Sequence, residues 1–142
     1  MQDLSKEDLA DRFVEPFTDG REHRAHILDR FHAYLDRVEA LGVMIRELWI
    51  DGSFTTEKPM PGDIDVAILM DREAMQSIAE GDMEEAQWLF HEAYKPEVKE
   101  RYRTDAFLLY TDQTAVQDLM KKTWGTYRDD VTKKGIARVV LP

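Results

Sequence analysis

Three aspartates sit in otherwise apolar surroundings: Asp63 and Asp65 in "DIDVAILM", and Asp105 in "TDAFLLY". Side chains alternate across a strand, so Asp63 and Asp65 share one face. A buried carboxylate is costly unless it is paired or bound to a metal. Two adjacent carboxylates repel, and at least one pKa rises unless a cation sits between them. No lysine or arginine lies within the strand to pair them. The simplest physical answer is a divalent ion at the start of the strand. Oxygen-only ligands point to Mg²⁺ or Mn²⁺ rather than zinc. If the two strands are neighbours, Asp105 joins the same cluster. Three carboxylates can hold two metals about 3.5–4 Å apart and stabilise an in-line phosphoryl displacement. The plainer readings are that Asp63 and Asp65 cap loop N–H groups, and that Asp105 pairs with Arg101 or Arg103.

Gly52-Ser53 ends the apolar run "MIRELWI" and its Asp51. A glycine there lets phosphate approach the backbone, and a serine hydroxyl with main-chain N–H groups can hold phosphate oxygens. Gly-Ser alone carries little information. Followed by Asp-x-Asp at the next strand, and by a lone aspartate in a later one, it carries more. Two other spacings point elsewhere. Arg21 and His26 form an Arg-x4-His pair, a spacing common by chance. His23 and His26 lie one helical turn apart without a third ligand at usable spacing, so the four histidines read as surface residues. The sequence holds no Gly-x4-Gly-Lys-Ser/Thr loop, which removes the P-loop reading.

The elements that position these residues follow from periodicity. "AHILDRFHAYLDRVEALG" places Ile27, Phe31, Tyr34, Leu35, Val38 and Leu41 at helical spacing, with Asp19 and Glu22 as a start signal and Gly42 as a stop. "MIRELWI" reads as a strand, with Met44 packed inward. "TTEKPMPG" is loop. "DIDVAILM" is a strand apolar on both faces apart from its aspartates, which suits an interior position. Asp71 caps a helix over "REAMQSIAE", and "MEEAQWLFHEAY" forms the next, with Met83, Ala86, Leu89, Phe90 and Ala93 on one stripe. "TDAFLLY" is a strand, "TAVQDLMKKTW" a helix and "GIARVVL" a closing strand. Trp124 reads as core, with base stacking as the alternative. The expected fold is α+β (α/β), a small mixed β-sheet with helices packed against it.

The chain of 142 residues fits one domain, 1–142, with residues 1–20 as an N-terminal arm. The arm is amphipathic and packs on its own domain or on a neighbour. Net charge is −10, which argues against tight nonspecific gripping of a nucleic-acid backbone. The absence of cysteine removes disulfides, thiolate nucleophiles and zinc–thiolate sites. The charged N-terminus does not read as a signal peptide, and no apolar run approaches a membrane span. The expectation is a soluble, cytoplasmic protein.

These residues resemble the nucleotidyltransferase superfamily of the DNA polymerase β type: an apolar strand, Gly-Ser, a spacer, Asp-hydrophobic-Asp and a later acidic residue. They resemble more closely the small stand-alone proteins of the DUF6932 type. The shared stretch is Asp51-Gly52-Ser53-Phe54, Thr56, Lys58, Pro59, Pro61 and Asp63-Ile64-Asp65. A looser C-terminal match covers Trp124-Gly125 and Lys134-Gly135-Ile136. The resemblance implies a nucleotidyltransferase fold and transfer of a nucleoside monophosphate from an NTP, ATP among them, to a hydroxyl, with loss of pyrophosphate. It implies that Gly52 and Ser53 hold the triphosphate, with Lys58 placed to neutralise it, or solvated. It implies that Asp63 and Asp65 bind the metals and that Asp105 is the third ligand and proton acceptor. Several relatives are linked to toxin–antitoxin and phage-defence systems, so the resemblance implies such a setting for the transferase; the alternative is a catalytically silent nucleotidyltransferase-like binding module that acts through a protein partner. Because 142 residues leave little room for a second domain, acceptor binding is expected from a partner, from a second subunit (a homo-oligomer) or from the N-terminal segment.

Overall fold

The structure is a computed structural model that describes residues 2–56, 60–124 and 137–141. Five strands form one mixed sheet: β1 (Gln2–Leu4), β2 (Ile45–Asp51), β3 (Ile64–Met70), β4 (Thr104–Tyr110) and β5 (Ala137–Val140), in the order β1-β5-β2-β3-β4. β3 runs parallel to β4 and antiparallel to β2. β5 runs antiparallel to β2 and parallel to β1. The helices are α1 (Asp8–Phe13), α2 (Arg21–Ala40), α3 (Arg72–Gln76), α4 (Met83–Phe90), α5 (Lys95–Tyr102) and α6 (Thr114–Trp124). The α+β expectation holds, and the arm becomes part of it. β1 pairs with β5, and Leu9, Phe13 and Val14 are buried in the chain's own core.

The two faces of the sheet are covered unequally. Ile64, Val66, Ile68 and Met70 of β3 join the main core with residues of α1, α2, α4 and α5. The opposite face of β2, β3 and β4 carries a smaller cluster, Trp49, Ala67, Leu69 and Leu109, against Met120 and Trp124 of α6. The indole of Trp124 meets the Phe107 ring edge-on at 5.6 Å, so this tryptophan packs as core. β3 is therefore covered on both sides, which explains its nearly unbroken apolar sequence. The aspartates share a side with the smaller cluster, at one end of the sheet.

Several local expectations need correction. α2 does begin between Asp19 and Glu22, at Arg21, with Gly20 at φ +77° in the N-cap position and hence no side-chain cap. Asp71 stands at the N-cap position of α3, yet its carboxylate accepts from Arg46 at 2.6 Å and from Thr111 Oγ1 at 2.6 Å instead of capping. Two competing donors win over the helix amides, and α3 ends at Gln76. The helix from Met83 stops at Phe90 because His91 is extended, and a 3-10 turn over Glu92–Tyr94 leads into α5. Met44 precedes β2 and is 62% exposed, and Met83 lies at the rim at 37%. Among the histidines, His26 and His91 are exposed, whereas His23 and His32 are half-buried. His23 Nε2 donates to Pro61 O at 2.6 Å, and burial lowers the pKa of His32.

One buried cation ties the arm to the rest. Arg24 of α2 is fully buried and donates to Phe13 O at 2.9 Å, Phe54 O at 2.7 Å and Thr56 O at 2.8 Å. Its guanidinium carbon lies 3.7 Å from the centre of the Phe17 ring, in cation–π contact. Burial pulls its pKa down to about 10, so it stays charged near neutral pH. Arg24 thus fastens α1, the chain beyond it and the segment after Gly52 to one point. Arg24→Met removes the donor from three carbonyls, each worth about 1–3 kcal/mol when left unsatisfied. The expected loss is at least ~3 kcal/mol, a Tm lower by roughly 10 °C. A melt followed by circular dichroism checks it, and a shift of under ~2 °C refutes the assignment.

Candidate functional site

Sheet register assembles the acidic site. Asp65 in β3 is opposite Asp105 in β4, and on its other side opposite Asp51 in β2. Directly opposed residues point to the same face, so Asp51, Asp65 and Asp105 form a row across three strands. Asp63, two residues before Asp65, extends the row just outside β3. The row lies at the C-terminal end of β2 and the N-terminal ends of β3 and β4. Asp51 is buried, and Asp63, Asp65 and Asp105 are half-buried. The three aspartates singled out by sequence therefore do converge on one face.

Gly52 follows the row directly. It has φ +81°, a conformation that disfavours any residue with a Cβ. A Cβ at this position would stand 2.6 Å from Asp65 Oδ2. The glycine thus gives room to a carboxylate of the site, a second reason for its identity beside the backbone approach inferred from sequence. Ser53 opens a 3-10 turn over Ser53–Thr55, in which Thr55 N and Thr55 Oγ1 both donate to Gly52 O. Thr55 is therefore spent on its own turn. Phe54 is buried beside Phe13, with ring centres 5.7 Å apart. Lys58, with Pro59, lies outside the described residues, as do Gly125, Lys134, Gly135 and Ile136.

The cations that answer the row come from α5. Lys99 Nζ is 2.8 Å from Asp63 Oδ2, and Lys95 Nζ is 3.3 Å from Asp105 Oδ1. The second contact is an ion pair without a directed hydrogen bond. Arg101 and Arg103 are not the partners of Asp105. Arg103 caps α5 in the left-handed region at φ +50° and accepts from Ile64 N through its carbonyl. Val98 and Tyr102 pack α5 into the main core, so Lys95 and Lys99 reach the acidic face over the β4 edge. Sequence reasoning missed both lysines and Asp51. The available signals were the i, i+4 lysine spacing ahead of Asp105 and the acidic end of the β2 run.

At Asp65, burial and the neighbouring carboxylates outweigh the nearby ammonium group. The pKa of Asp65 is pushed up to about 6, first by burial and then by Asp63, Asp105 and Asp51, with Lys99 opposing. The donor set consists of hard carboxylate oxygens, which suits Mg²⁺ or Mn²⁺. The pose is a different matter. Among the described residues no three acidic or histidine side chains are gathered closely enough to ligate one ion. Asp63 and Asp105 are engaged by ammonium groups, so ligation requires them to turn away from Lys99 and Lys95.

The family model that matches residues 2–140 is described as a family of unknown function, DUF6932, and the chain belongs to that family. No curated protein and no solved structure matches the chain. No helix among the described residues is long and apolar enough to cross a membrane.

The raised pKa of Asp65 sets a signed expectation. The folded protein resists ionising a group that ionises near pH 4 in the unfolded chain. The resulting penalty is absent below about pH 4, grows to about pH 6 and is constant above. Asp65→Asn should therefore raise Tm at pH 7.5 by a few degrees, and the gain should vanish near pH 4. Paired melts of wild type and variant across this range test it. An equal effect at both pH values would refute a raised pKa at Asp65.

Proposed function

We propose that this member of the DUF6932 family is a nucleotidyltransferase dependent on Mg²⁺ or Mn²⁺. It would move a nucleoside monophosphate from an NTP to a hydroxyl acceptor. The observation that carries the reading is the row of Asp63, Asp65 and Asp105 on one sheet face, beside the positive-φ turn at Gly52. Carboxylates held this close to one another have little structural reason to be there, because repulsion and burial both oppose them.

In this reading Asp63 and Asp65 hold the divalent cation, with Asp105 as the third ligand. The cation, when bound, supplies neutralisation of the phosphate charge. The turn at Gly52-Ser53 receives the phosphates. The acceptor oxygen attacks the α-phosphorus and forms a new P–O bond. The bond to the bridging oxygen of the β-phosphate breaks, and pyrophosphate leaves with its electron pair. The hydroxyl proton passes to Asp105, whose side chain is half-buried at the mouth of the row. The protein's contribution is mainly positioning and electrostatics.

A second reading is favoured by one observation: Lys95 and Lys99 already engage Asp105 and Asp63. A protein that keeps those pairs permanently would be a silent binding module acting through a protein partner.

Two experiments separate these readings. With each of four α-labelled NTPs, Mg²⁺ or Mn²⁺, and a lysate of RNA and protein, wild type should transfer label to a discrete band. Asp63→Ala/Asp65→Ala should not, while keeping its circular dichroism spectrum. Absence of transfer in every combination would favour the binding module. Asp105→Asn should retain nucleotide binding by calorimetry and lose transfer by at least about a hundredfold, within the range of a general base. An unchanged rate would remove Asp105 from the chemistry.

A further inference from the structure

We propose that Lys95 and Lys99 are an exchangeable cationic pair. They hold Asp105 and Asp63 until a divalent cation takes those carboxylates, and then turn to the polyphosphate of the substrate. The inference rests on the nucleotidyltransferase reading and adds to it the residues that grip the leaving group.

The two lysines lie one helical turn apart on α5, so their side chains leave the helix on the same side. Both stretch over the β4 edge to the acidic face, one to each end of the set of candidate ligands. Lys99 is 54% exposed, so its head can move without opening the core. Lys95 Nζ lies 3.6 Å from the centre of the Phe107 ring, a second resting place for its charge beside the row. The carboxylates they engage are two of the three the reaction would need. A cation bound there would displace both ammonium groups while leaving them tethered within a few ångströms. A lysine is a compact, strongly hydrated point charge on a flexible stem, suited to exchange between carboxylate and phosphate. Polyphosphate arriving with the metal is the anion that such displaced ammonium groups would meet.

The exchange predicts opposite signs for two binding measurements. Lys99→Met removes a competitor of the metal and a ligand of the phosphate. By calorimetry, Mn²⁺ alone should bind the variant about two- to fivefold more tightly than wild type, as befits a partly exposed ion pair. Inorganic tripolyphosphate in saturating Mn²⁺ should bind it about tenfold more weakly, the loss of one charge-assisted contact. Lys95→Met should repeat the pattern. Lys99→Arg should stay close to wild type for tripolyphosphate. Lys121→Met, on α6 over Trp49 at 5.1 Å, is the control and should change neither. If both ligands tighten, the lysines are counter-ions alone. If both weaken, they are structural. Either result overturns the exchange while leaving the nucleotidyltransferase reading standing. Wild type that binds neither Mn²⁺ nor tripolyphosphate overturns both.

Discussion

Repulsion between carboxylates on neighbouring strands is the constraint on which this structure turns. Strands in a sheet lie about 4.8 Å apart, and three of them place an aspartate at the same level. Charges at such a distance oppose each other by roughly 3 kcal/mol near a protein surface. The surrounding features answer this strain. The glycine after β2 leaves space for the Asp65 carboxylate, α5 sends two ammonium groups across the sheet edge, and Asp65 itself resists ionisation up to about pH 6. In the proposed reading a hard divalent cation would be a further answer, its charge and ligand preference matching the carboxylates.

The sheet that carries the row is covered unequally on its two faces. The face opposite the aspartates is sealed by α1, α2, α4 and α5 around an apolar core. That seal packs one side of β3, the strand that carries Asp65, into the main core. The other face carries α6 over its middle, against Trp49, Leu69 and Leu109, and the row lies at the end of that face. Arg24 links the two sides of this arrangement. From the sealed side it binds the carbonyls of Phe54 and Thr56, just beyond the Gly52 turn. The position of the Gly52 turn therefore depends on an ion buried in α2 and on the N-terminal segment that encloses it.

Much of the site was legible because strand periodicity is a local property. Two aspartates at i and i+2 in an apolar run must share a face, whatever the rest of the chain does. Asp105 was legible as a lone acid in a similar run. What sequence spacing does not contain is lateral order in the sheet. Asp51 ends one strand and faces Asp65 through pairing alone. Lys95 and Lys99 enter from a helix hidden behind Pro96 and a charged stretch with little amphipathic pattern. The expected cap at Asp71 failed for a similar reason, since its true partners, Arg46 and Thr111, lie 25 and 40 residues away. β1 is three residues long, too short for a periodic signal, and exists because β5 offers it an edge.

The most direct test of the central claim is a crystal structure of the wild-type protein grown with Mn²⁺, with the metal located by its anomalous scattering. The account predicts a peak between Asp63, Asp65 and Asp105, with the ammonium groups of Lys95 and Lys99 moved off those carboxylates. Crystals in which the row carries no anomalous peak, and both lysines still hold Asp105 and Asp63 as they do here, would contradict it.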